Sequence, residues 1–180
     1  MTGFATLRDS LRAASDRSHA ALDAAMGPLA LGEDLPRFLR VQYLARRPIE
    51  AWLARAAPEG WEPPVQTPLI ARDLGSLGVE IPDVRARFAA PREGFLGVAW
   101  AIAGSSLGNR AIAVRRRKAG LAGAEHFLCD DAMPAYWQRL LPRLEQCGDP
   151  GEARACSDAA AAVFALFAHH AAPDGLDLAA

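Results

Sequence analysis

The sequence predicts an all-α fold, arranged as a single domain over residues 1–180. Apolar residues recur at three- and four-residue steps through several long segments, which is the period of an amphipathic helix. No stretch alternates β-branched residues between hairpin turns, and no repeat of ~20 to 50 residues is present. With 180 residues, 51% of them hydrophobic, the chain is long enough to bury one substantial core.

Phe4, Leu7, Leu11, Ala14, Leu22 and Ala25 carry the first helix, which Gly27-Pro28 ends. A second helix begins near Glu33-Asp34, with Pro36 accommodated in its first turn. It carries Phe38, Leu39, Gln42, Trp52 and Leu53, and Pro48 inside it predicts a kink or a break. Residues 58–68 hold four prolines and read as a loop. A short helix from about Pro68 to Leu77 comes next, then an irregular stretch with Pro82 and Pro91. A long helix is expected from about Arg92 to Lys118, stopped by Gly120. Its first half is apolar on every face, so it is expected to be buried. A further helix spans roughly Met133 to Gln146. The last runs from Gly151-Glu152 to about His170, with Val163, Phe164 and Phe167 as core candidates. The tail from Pro173 is expected to fray.

Composition excludes several classes. A formal net charge of -1 leaves no basic surplus for general nucleic-acid binding, and Arg115 to Lys118 is the local exception. Cys129, Cys147 and Cys156 form no Cys-x-x-Cys pair, which argues against a zinc ribbon or a thioredoxin-type site. Their odd number, without a signal peptide, points to reduced thiols in a cytoplasm. The most apolar stretch, Phe95 to Ala103, is far shorter than the ~20 residues a membrane span needs, so no membrane partner is expected. Phosphate-binding loops, nucleophile elbows and zinc-protease motifs are missing from the sequence.

Two separated features carry the chemistry. His19 falls at the edge of the first helix's apolar stripe, where its imidazole can enter a pocket between helices and ligate iron. Alone, a histidine at such a position is more often packed or solvated. Arg12, seven residues earlier, shares that face about 10 Å away and could pair with a carboxylate there. The second feature is Gly104-Ser-Ser-Leu-Gly108 in the long helix. Each interior glycine costs about 1 kcal/mol relative to alanine, so two on one face call for a reason. Close helix packing is one reason, and close approach of a flat ligand to the backbone is the other. Ser105, Ser106 and Asn109 add short polar groups that could hold water. Arg115 to Lys118 read as a solvated helix terminus favoured by the dipole, or else as a patch for an acidic partner. His126 is placed in a loop, and His169 and His170 are expected to face solvent.

In order and spacing these segments resemble the haem oxygenases, especially the short bacterial ones found beside bacteriophytochromes. Leu11-Arg-Ala-Ala-Ser-Asp-Arg-Ser-His19-Ala-Ala-Leu-Asp is similar to the family's opening helix. Gly104-Ser-Ser-Leu-Gly108 is similar to its distal helix. Phe127-Leu128 and the segment from Tyr136 to Leu144 resemble the family's next segment, and Ala162 to Phe167 its terminal helix. The resemblance implies a multi-helical bundle with a kinked distal helix. It implies haem as both cofactor and substrate, with His19 as the proximal iron ligand. Arg12, His19, Gly104, Gly108 and Tyr136 would bind haem, and Gly104, Ser105, Gly108 and Asn109 would serve catalysis. The implied reaction opens haem to biliverdin, iron and carbon monoxide with O2. Electrons would come from a ferredoxin or a flavoprotein reductase, and a bacteriophytochrome could take up the biliverdin.

The chain departs from the family pattern around the glycines. Ala103 stands where many bacterial members have glutamate, Ser106 where a basic residue is frequent, and Asn109 where a second glycine is common. Ser105 matches the mammalian aspartate that organises distal water, and Trp100 rather than an aromatic hydroxyl precedes the motif. These departures keep a second reading open, a non-catalytic haem carrier or sensor with the same fold. A third is a helical enzyme related in fold alone, such as the thiaminase-like or quinone-cofactor synthesis proteins, which need no haem ligand at His19.

Overall fold

The computed structural model describes residues 6–26, 34–147 and 149–172. Among them lie six α-helices: α1 Leu7–Met26, α2 Asp34–Ala56, α3 Thr67–Ser76, α4 Phe95–Lys118, α5 Ala132–Leu144 and α6 Pro150–Ala171. A 3-10 turn, Arg92–Gly94, leads into α4. Helix is the only regular structure among the described residues, as expected. Phe4, Gly27-Pro28, Glu33 and the tail from Pro173 lie outside them.

Helix α6 is the hub, with α1, α2 and α4 all packed on it, while α5 packs on α4 and α3 on α2. The reason is compositional. Ala159, Ala160, Val163, Phe164 and Phe167 of α6 are buried, and the alanines let neighbouring backbones come close. The closest approach is to the start of α4. A Cβ on Gly97 would overlap the Cys156 carbonyl, and one on Gly94 would stand 2.6 Å from the Ala159 Cβ. From Phe95 to Ala103 every residue except Trp100 is buried, as the all-round apolar pattern predicts.

Helix α2 departs from expectation. It runs unbroken through Pro48 from Asp34 to Ala56. An interior proline costs ~3 kcal/mol. Burial of Leu44, Ala45, Ile49, Trp52 and Leu53 around it outweighs that cost, because each large apolar side chain contributes about 1.5–3 kcal/mol. His169 is exposed, but His170 is buried at 6% exposure, which corrects the expectation that both face solvent. The final turn of α6 places His170 on the inward face with Phe167 and Ala171. Arg115, Arg117 and Lys118 are solvated as the dipole argument predicts, whereas Arg116 is buried.

Candidate functional site

A cavity of about 460 Å³ opens between α1 and α4, within the ordinary range for small-molecule sites. Arg12, His19, Leu22 and Met26 line it from α1, and Trp100, Gly104, Ser105, Gly108 and Asn109 from α4. Phe38 and Gln42 of α2, Trp137 of α5 and Phe164 of α6 complete the wall.

The α1 wall is built from the sparsely buried C-terminal half of a helix that packs on α6. From residue 16 to residue 25 no side chain is buried, and Leu22 is half-buried. Its inward side chains are Leu22, which packs on the core, and His19, which meets Phe164 at the cavity. The His19 side chain is 59% exposed, with Nδ1 3.0 Å from Asp23 Oδ2 one turn along. A carboxylate on Nδ1 holds the proton there and leaves the Nε2 lone pair for a metal, the usual arrangement of a ligating histidine. The Phe164 ring meets the imidazole edge-on at 5.9 Å, and Trp100 meets Phe164 at 6.3 Å, so aromatic packing also orients it. Arg8 and Arg12 stand at the mouth. Arg8 is engaged with Glu145 at 2.6 Å, while Arg12 makes no ion pair among the described residues.

The α4 wall settles what the glycines do. A Cβ on Gly108 would meet nothing within 4 Å, and one on Gly104 would meet only the Trp137 ring, at 3.6 Å. Close helix packing therefore needs neither glycine; it falls on Gly94 and Gly97 instead. The missing side chains open the cavity.

Ser105 Oγ donates to Ile102 O at 2.8 Å and accepts from Arg46 Nη2 at 2.5 Å. Ser106 turns away from the cavity, donating to Ala103 O at 2.6 Å. Asn109 is buried at 6% exposure and reaches the wall. Tyr136 does not reach it. Its ring is buried elsewhere and its hydroxyl donates to Trp61 O at 2.9 Å, so the neighbouring Trp137 takes the wall position. Burial pushes the Tyr136 phenol up to about 12, with Arg139 opposing and Glu62 adding to the shift.

Thus Arg12, His19, Gly104, Ser105, Gly108 and Asn109 converge on one cavity, although ~85 residues separate the two groups. Sequence reasoning missed Asp23, Trp137, Gln42 and Arg46. The signal for Asp23 was its i,i+4 spacing from His19. For Gln42 and Arg46 it was a polar row, Gln42, Arg46 and Glu50, at four-residue steps beside the core positions of α2. Among the described residues, no group of three or more His, Cys, Asp or Glu could hold a bare metal ion.

Fold and site together define a helical protein with a cavity between a histidine-bearing helix and a glycine-opened helix. No protein-family model matches the chain. It is 36% identical over 121 residues to a haem oxygenase of Xanthomonas campestris, covering 66% of this chain and 72% of that protein. Its fold is similar to that of the NO- and CO-bound haem oxygenase of Neisseria meningitidis. That match has a TM-score of 0.65 at 21% identity and covers 94% of each chain. The chain belongs to the haem oxygenase family.

Proposed function

We propose that this chain opens haem oxidatively to biliverdin, iron and carbon monoxide. One observation carries the reading: His19 on α1 and the two open glycines of α4 face one cavity from opposite walls. The residues fit the group. Nε2 of His19 is the free ligating nitrogen, Arg12 at the mouth suits a propionate, and Gly104 and Gly108 leave room for a macrocycle. Bound haem supplies the iron that activates O2 and the porphyrin that is cleaved.

The chain's own part is to bind, orient and manage protons. Asp23 fixes the His19 tautomer. Trp100, Trp137 and Phe38 exclude bulk water and restrict how the ligand turns in its plane. Ser105, Asn109 and Gln42 are the polar groups that can hold water on the α4 side. Electrons come from a ferredoxin or a flavoprotein reductase, and residues 1–180 act as one domain in a cytoplasm. Biliverdin uptake by a bacteriophytochrome would complete the reading.

The carrier reading draws on one observation. The Ser105 hydroxyl already donates to Ile102 O, so it cannot also donate to a ligand. The test is haem added to purified protein, followed by ascorbate or reduced ferredoxin under air. Verdin absorbance and released CO are expected, and stable oxy-haem would favour the carrier. His19→Ala should remove the sharp Soret band, and Asp23→Asn should weaken haem affinity by about 10- to 100-fold. Haem binding indifferent to His19→Ala would sink both readings.

A further inference from the structure

Arg46 is fully buried, at 0% exposure. It lies on α2 directly behind the α4 wall. Its guanidinium donates from Nε to Gln42 Oε1 at 2.8 Å, from Nη1 to Gln66 Oε1 at 2.7 Å and from Nη2 to Ser105 Oγ at 2.5 Å. All three acceptors are neutral, and no carboxylate touches it. The nearby acids are spent elsewhere. Glu50 accepts from Gln66 N, Thr67 N and Thr67 Oγ1. Asp130 accepts from Gln66 Nε2 and from the amides that open α5. The Phe127 and Phe167 ring centroids lie 5.1 and 6.0 Å from the guanidinium carbon, and Glu50 and Asp130 reach it only by longer-range attraction, which does not offset the cost of its burial.

A cation held this way is costly unless something is gained from it. Two of its three partners, Gln42 and Ser105, line the cavity. The charge is therefore separated from the cavity by one side chain, in a medium that screens it poorly.

We propose that Arg46 is a positioning residue that acts through Ser105 and Gln42 to make the α4 end of the cavity selective for small anions over neutral ligands of similar size. In the loaded protein this rests on the haem reading, since the anion would sit on the face opposite His19. The cation also holds Gln42 by its oxygen, which leaves the amide nitrogen to donate toward an anion.

The test has two arms. In haem-free protein, iodide and acrylamide quench tryptophan fluorescence, and Trp100 and Trp137 report on the cavity. Arg46→Met should lower iodide quenching while leaving acrylamide quenching unchanged, and Arg46→Lys should restore most of it. In haem-loaded protein, azide and CO are titrated optically. Arg46→Met should weaken azide by at least about tenfold and change CO little. Failure of haem to load would count against the proposed function alone, because the iodide arm still tests Arg46. Equal changes for charged and neutral probes, or no change, would overturn the proposal. Should Arg46→Met not fold, Ser105→Ala decides. It keeps the cation and removes the hydroxyl that covers it on the cavity side, so iodide quenching should rise with acrylamide quenching unchanged, and a level or falling response overturns the proposal.

Discussion

At the residue scale, four glycines of one helical segment have two opposite purposes, and substitution separates them. A methyl on Gly97 has no room beside Cys156, so Gly97→Ala should destabilise the fold by about 1–3 kcal/mol or more. A methyl on Gly108 meets nothing. Gly108→Ala should therefore stabilise the ligand-free protein by up to about 1 kcal/mol through better helix propensity, while weakening haem binding. Urea unfolding and a Soret titration check both, and a Gly108→Ala protein less stable than its parent would contradict this division of roles. The sequence could place Gly104 and Gly108 on one face but could not say what faced them, because an empty position has the same spacing whether it meets a helix or a ligand. His19 and Arg12 were legible because one helix holds both. Arg46 was not, since the polar row it forms with Gln42 and Glu50 has the same spacing whether it is solvated or buried. Tyr136 was misplaced by a single position, the smallest step in a helix and one that turns a side chain by about 100°.

At the element scale, helix order and type were legible from period and punctuation, and the exception at Pro48 shows where local reading stops. Proline's cost is local, whereas the gain that offsets it comes from packing on elements distant in sequence. Helix α5 offers a test of such tertiary anchoring. Tyr136 is 3% exposed and its hydroxyl ties α5 to Trp61 in the preceding loop. Its phenol is raised to about 12 from an ordinary 10.0, chiefly by burial. Between those values the unfolded chain gives up the proton and the native one keeps it, so the unfolded state binds fewer protons and stability falls as pH rises. Below about pH 10 this contribution is fully present, and it is lost as pH climbs toward about 12. Tyr136→Phe should cost about 1 kcal/mol at neutral pH for the lost hydrogen bond. It should also flatten the alkaline decline relative to the parent. Denaturant unfolding of both proteins across this range measures the difference, in which other titrating groups cancel. Parallel curves would show that the phenol is not held neutral by the fold.

At the scale of the whole molecule, the site is a gap between two helices that share a support. Both α1 and α4 rest on α6, and the cavity separates them where His19 faces the glycines. The N-terminal half of α1 is anchored by Leu7, Leu11 and Ser15, but between Ser15 and Met26 no side chain is buried. Few buried contacts mean a low free energy of local opening, so this half-helix should exchange its amide hydrogens well before the core does. A ligand that touches both walls binds only when the half-helix is in place. It therefore stabilises that arrangement by mass action, about 2.7 kcal/mol at a hundredfold excess over its dissociation constant, or roughly hundredfold slower exchange. Haem loading should thus slow exchange most at residues 19–26 and 104–109, and least in α3, which does not border the cavity. His19→Ala should abolish the protection in α1 even at haem concentrations that still fill the cavity. Hydrogen exchange read by mass spectrometry resolves these segments. Equal slowing in every helix would mean that α1 opens only with the whole fold, and that the histidine wall is rigid before any ligand arrives.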